Sequence, residues 1–143
     1  MAPKTRHYST KPESEKLSRQ LDEYYKHQSD KDFEFSKFPL LAEGLNFEEC
    51  PNPRNAFTRF RGYERNKYVE YMESMREKWP VQTYKPHLEV LSQSETSIVK
   101  EIAWTGSNPK TDESLQINLC IIHFVKDDMI TSIRCYGSEP IPK

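Results

Sequence analysis

The apolar positions of this chain change period near its middle. Leu17, Leu21, Tyr24 and Tyr25 fall on one helical face, and Thr10 to Glu13 reads as a capping box with Pro12 in the first turn. A first helix is therefore predicted from about Pro12 to His27, after a disordered tail over Met1–Lys11. Ser29 or Asp30 then caps a short second helix that carries Phe33 and Phe38 and ends at Pro39. A short strand around Leu45–Glu49 is broken by Pro51, Asn52 and Pro53. Gly62 precedes a third helix, whose Tyr68, Met72, Met75 and Trp79 recur at steps of four, three and four before Pro80 stops it. Beyond Pro80 the period drops to two. Four strands are predicted there: about Val81–Leu91, Ser97–Thr105, Leu115–Val125 and Met129–Tyr136. Ser92–Thr96 is a polar turn, Gly106–Pro109 opens a longer loop, and Asp127-Asp128 makes a two-residue hairpin turn. The order describes an α+β domain with helices on one face of a curved antiparallel sheet, a single domain over Pro12–Lys143.

Composition narrows the function classes. The 143 residues carry a formal charge of -1, without the basic footprint of a nucleic-acid or membrane-surface binder. The longest apolar run, Ile117–Val125, is too short to span a bilayer, and Met1–Lys11 has no apolar segment of a secretory leader, so a cytoplasmic protein is expected. Charged residues make up 30% and mean hydropathy is -0.89, values that approach disorder; eight Tyr, seven Phe and two Trp nonetheless suffice for an aromatic core. Cys50, Cys120 and Cys135 are an odd number without a CxxC pair, and His7, His27, His87 and His123 are scattered, so no metal site is expected. Gly44, Gly62, Gly106 and Gly137 form no phosphate-binding loop, so no nucleotide cofactor is expected either.

Three stretches resemble the nuclear transport factor 2-like superfamily, and within it the small SnoaL-like polyketide cyclases and the dehydratase/isomerase branch. They are Tyr24-Tyr25 followed by Ser29–Phe33, Arg61-Gly62-Tyr63 followed by Tyr68–Met75, and Phe124–Tyr136. Within the last, Asp127-Asp128-Met129-Ile130 departs from the family's usual Asp-Gly-Lys-Ile turn. The resemblance extends from Glu15 to Glu139. It implies a cone-shaped fold with about three N-terminal helices, a pocket between sheet and helices, and a homodimer.

Strand parity nominates the chemistry. With Asp127-Asp128 as the loop, Lys126 pairs with Met129, and regular alternation puts His123, Arg134 and Tyr136 on one face with Leu119 and Ile121. Pairing Leu91 with Ser97 and Thr105 with Leu115 adds His87 and Glu101 to that face; a slip of one residue puts Tyr84, Lys100 and Trp104 there instead. A histidine beside a carboxylate is suited to acid–base work, and Arg134 or Tyr136 could stabilise an enolate oxygen. Tyr25, Tyr68, Met72 and Trp79 from the helices and Trp104 from the sheet are candidate substrate contacts, with Glu49 at the cone mouth. Each of these residues also has a plainer reading, as core packing, a hydrogen-bonded core histidine, or a solvated carboxylate in Glu48-Glu49. Cys120, Ile122, Phe124 and Ile133 then form the outer, dimerising face. The pattern is consistent with a cofactor-independent cyclase, dehydratase or isomerase acting on a hydrophobic polyketide- or terpenoid-like intermediate. The alternative is a non-catalytic small-molecule-binding or protein-interaction module.

Overall fold

A computed structural model describes residues 4–7, 12–38, 40–50, 60–62, 65–91, 96–137 and 141–142. Thr10 of the capping box, Pro39, the Pro51-Asn52-Pro53 break, Tyr63 and most of the Ser92–Thr96 turn lie outside the described residues. The elements are β1 (Lys4–His7), α1 (Pro12–Lys26), a single 3-10 turn (Phe35–Lys37), β2 (Leu41–Cys50), β3 (Phe60–Gly62), α2 (Arg65–Lys78), β4 (Val81–Leu91), β5 (Ser97–Asn108), β6 (Glu113–Lys126), β7 (Met129–Gly137) and β8 (Ile141–Pro142). They form one sheet in the order β1-β4-β5-β6-β7-β2-β3, with β8 paired to the start of β6. The fold is α+β, but the sheet is mixed rather than antiparallel: β1 runs parallel to β4, and β2 parallel to β7. Residues 4–7 thus form a strand where a loose tail was expected. Neither helix is long and apolar enough to cross a membrane.

The described residues contain two α-helices rather than about three. The expected second helix is reduced to the 3-10 turn because the chain between α1 and β2 is committed to local caps. His27 and Gln28 donate their N–H groups to the Tyr24 and Tyr25 carbonyls, closing α1, and the Asp30 carboxylate accepts from the Asp32 N–H. Tyr24 packs edge-on against Phe33 and Phe38 at 4.3 and 4.0 Å and donates its hydroxyl to the Glu34 carbonyl. Arg76 of α2 donates to the carbonyls of Asp30 and Phe33 and covers the Phe35 ring at 4.7 Å, tying this connection to the second helix.

Three irregularities interrupt the sheet register; one lies between Leu41 and Asn46 of β2 against β7, and the other two are bulges that bear on the site. In β4 the pairing with β5 skips His87, between Pro86↔Ile102 and Leu88↔Glu101. Pro86 has no N–H for the ladder, so the irregularity directly after it has a local cause. In β7 the pairing with β6 skips Thr131, between Val125↔Ile130 and Phe124↔Ser132, and the Thr131 hydroxyl donates to the Phe124 carbonyl. The turn is the expected Asp127-Asp128 pair, both at positive φ (53° and 59°), as the tight twisted turn requires.

Gly106 illustrates how tightly the inner face is filled. A Cβ there would lie 2.3 Å from the Trp104 indole, whose Nε1–H donates to the Gln82 Oε1 at 2.9 Å while Gln82 Nε2 donates to the Trp79 carbonyl at 2.9 Å. The indole is held on both sides and cannot yield cheaply. Gly106→Ala is therefore expected to cost about 1–3 kcal/mol in urea denaturation through overpacking. Gly44→Ala, with nothing within 4 Å of the new methyl group, is expected to be close to neutral by the same measurement.

Candidate functional site

The Thr131 bulge reverses the parity of β7 beyond the turn. His123 is paired with Ile133, Ile122 with Arg134, and Cys120 with Tyr136. His123 consequently faces the helices and is 0% exposed, whereas Arg134 and Tyr136 are exposed on the opposite face. The β5–β6 register brings Gly106, not Thr105, opposite Leu115, and the His87 bulge shifts β4. Glu101 and His87 are therefore exposed on that outer face as well, where with Cys120 and Tyr136 they border a shallow depression. The expected meeting of His123 with His87, Glu101, Arg134 and Tyr136 does not occur. The slipped register holds instead: Tyr84, Lys100 and Trp104 point inward and are buried. The same parity change moves Ile133 from the expected dimer face into the core, at 1% exposure.

Between the helices and the inner face lies an apolar cavity of about 60 Å³. Tyr25, Tyr68, Met72 and Trp104 line it, as do Gln28, Tyr71, Met75 and Gln82. Trp79 does not; it is buried behind, with its ring edge-on to Trp104 at 6.1 Å. Glu49 lies on β2 paired with Cys135, and its side chain lies outside the described residues. Among the described residues no group of three His, Cys, Asp or Glu is placed to hold a metal ion.

One end of this cavity is polar. The Tyr25 hydroxyl lies 2.7 Å from His123 Nε2, and His123 Nδ1 lies 3.0 Å from the Ile98 carbonyl. A carbonyl only accepts, so Nδ1 carries the ring proton and Nε2 accepts from Tyr25. Tyr68 is hydrogen-bonded to Tyr25 in turn. Since the Tyr25 proton is given to His123, Tyr68 is the donor in that bond, and the chain reads Tyr68 to Tyr25 to His123, every hydroxyl donating inward. Burial lowers the His123 pKa to about 3, with the Lys100 ammonium adding to the shift and the Ile98 carbonyl opposing it. Burial, chiefly, raises Tyr25 well above its ordinary value, so it stays a hydroxyl.

A second buried cluster adjoins the first. Lys100, 1% exposed, donates to Ser18 Oγ at 2.8 Å, Asp22 Oδ1 at 2.9 Å and Glu89 Oε1 at 2.5 Å. Tyr84 donates its hydroxyl to the same Asp22 oxygen at 2.9 Å and stacks on Tyr25, with centroids 5.4 Å apart. Three acceptors thus saturate the ammonium.

Solved structures superpose over nearly the whole chain. An NTF2-like protein from Anabaena variabilis matches with a TM-score of 0.70 over 92% of this chain and 94% of its own, at 16% identity. The fold is nuclear transport factor 2-like. Two other structural neighbours are enzyme-like. One, from Jannaschia, is assigned as a SnoaL-like polyketide cyclase (TM-score 0.69, 8% identity, 92% and 91% covered). The other is an epoxide hydrolase/cyclase-like enzyme of pyran-ring formation in the polyether salinomycin (0.67, 16%, 90% and 97%). No protein-family model matches the sequence, and neither does any curated protein.

The neutrality of His123 has a pH signature. The unfolded residue titrates near ~6.5 and the folded one near 3, so between these values the unfolded chain binds a proton that the folded chain refuses. Stability from this residue is complete above about pH 6.5 and falls with acidification, by about 3 kcal/mol at pH 4. Urea titrations are expected to show this slope in the wild type, and a slope shallower by up to one proton in His123→Leu.

Proposed function

We propose that this protein is a cyclase, dehydratase or isomerase that uses acid–base chemistry, without a cofactor, on a hydrophobic polyketide- or terpenoid-like intermediate. The observation that carries this reading is the inward-directed chain Tyr68–Tyr25–His123 at the wall of an apolar cavity. The activities described for the NTF2-like neighbours support it. A substrate proton passes to Tyr68 as Tyr68 gives its own to Tyr25 and Tyr25 gives its own to His123 Nε2. The imidazolium so formed is dry and faces Lys100, so the proton is returned, to a new position on the same molecule. That exchange leaves no net proton behind, which suits isomerisation and ring closure. The cavity, at about 60 Å³, is smaller than the roughly 150 Å³ that hold a benzene ring. A larger substrate enters as Met72 and Met75 give way, unbranched side chains suited to that.

The reading is tested by deuterium exchange into enolisable cyclic ketones in heavy water, followed by proton NMR. Wild-type protein is expected to catalyse exchange. Tyr25→Phe and Tyr68→Phe are expected to lose about 100-fold, and His87→Ala and Arg134→Ala to keep it. Binding of ketones without exchange would favour the alternative, a non-catalytic binding module.

The working form is proposed to be a homodimer through the outer sheet face, where Phe124 is 37% and Tyr136 40% exposed beside Ile122 and Cys120. Sedimentation is expected to give twice the mass of the 16.9 kDa chain, and Phe124→Asp to restore the monomer.

A further inference from the structure

Two opposite charges stand unpaired on the outer sheet face. Short of Lys126 at the hairpin end, the outward positions of β5, β6 and β7 carry only Glu101 and Arg134. Both are exposed, and neither makes an ion pair among the described residues. The register explains why they do not meet. Glu101 is opposite Cys120, and Arg134 is opposite Ile122, on the strand between them. They are thus two strands and two residues apart, roughly 12 Å by ladder geometry. The point midway between them lies over β6, between the outward side chains of Cys120 and Ile122. That point is also the middle of the apolar patch, with the exposed Phe124 and Tyr136 beside it. Glu101 further borders a hollow in this face, whose rim it shares with His87, Asn118, Cys120 and Tyr136. Burial first, and the Glu101 carboxylate second, raise the Cys120 thiol above its ordinary pKa, so the thiol stays protonated and Glu101 supplies the negative charge. A carboxylate with an aromatic ring and an amide nearby is a lining that suits a guanidinium, which has five N–H donors and a flat face to stack.

We infer that the hollow is a socket for the Arg134 guanidinium of a second copy of this chain, the two copies being related by a two-fold axis over β6 between Cys120 and Ile122. In a two-fold contact, residue i meets residue j of the partner and j meets i. An axis at the midpoint therefore carries Arg134 of each copy toward Glu101 of the other, and every dimer gains the same ion pair twice. The apolar patch alone would let one sheet rotate on the other. Two ion pairs placed symmetrically about its centre select one orientation. Enclosure between the two faces also shields the pairs from water, so they count for more than exposed ones. The inference rests on the outer-face dimer proposed above and adds its orientation and its recognition residues.

The test is sedimentation equilibrium of the full chain and of charge-reversed variants. Arg134→Glu puts two carboxylates together at both contacts, and Glu101→Arg puts two guanidinium groups there. Each variant alone is expected to dimerise at least about a hundredfold more weakly than the wild type. Alanine at either position creates no repulsion, so reversal is the informative change. Mixed one to one, the two variants are expected to form a heterodimer within about tenfold of the wild-type affinity, since each contact again joins opposite charges. The double variant Glu101→Arg/Arg134→Glu is expected to self-associate to the same degree. Both side chains are exposed, so the far-UV circular dichroism of every variant is expected to match the wild type. Single variants that dimerise like the wild type overturn the inference and leave the dimer reading in place. So do single variants that dissociate but stay monomeric when mixed and when combined in one chain. A wild type that sediments as a 16.9 kDa particle removes the dimer reading, and this inference with it.

Discussion

A single buried ammonium dictates how the first helix sits on the sheet. Lys100 lies mid-strand on the inner face of β5, between Ile98 and Ile102, where a charge is tolerated only with full pairing. Its partners come from two other elements: Ser18 and Asp22 from α1, Glu89 from β4. Glu89 turns inward because the strand has gained a residue at His87; without that bulge Tyr84 and Glu89, five apart, could not both reach the same cluster. Fixing α1 in this way sets Tyr25 against Tyr84 on one side and His123 on the other. The polar end of the cavity is thus built outward from a salt bridge that does not itself line the cavity.

The two clusters divide their tasks by charge. The Lys100 group gathers the formal charges of the interior, one cation against two carboxylates. The Tyr68–Tyr25–His123 group is neutral throughout. Neutrality follows from the first group as well as from burial, because the ammonium disfavours a second positive charge at His123. An uncharged relay in a dry wall can pass a proton through but not store it.

Much of this was legible in the sequence. The helical stripes of α1 and α2, the four long strands and the Asp127-Asp128 turn follow from periodicity and turn chemistry, and Tyr25, Tyr68 and Met72 were placed correctly toward the interior. The bulges leave no such mark, and the misplaced strand residues trace to them or to the one-residue slip between β5 and β6. A fainter signal exists. Ile130 and Ile133 are three apart, and both cannot face the core of a regular strand. In β5, Ile98, Ile102 and Trp104 alternate on one parity, which already favoured the slipped register; the intervening Lys100 masked it. The mixed sheet was hidden because parallel pairing joins strands far apart in sequence and leaves no hairpin to read.

Pro86 has a second effect on the molecule's surface. β1 covers the free side of β4 only from Leu88 to Leu91, so among the described residues the stretch from Val81 to Pro86 has no strand on that side. Such a margin is a template on which another chain can add a strand. Here it carries a lysine, a proline that offers no donor, and a kink at His87 that breaks its straightness. The irregularity that turns Glu89 toward Lys100 also makes this margin a poor seed for fibrils, so interior charge pairing and resistance to self-association rest on the same residue.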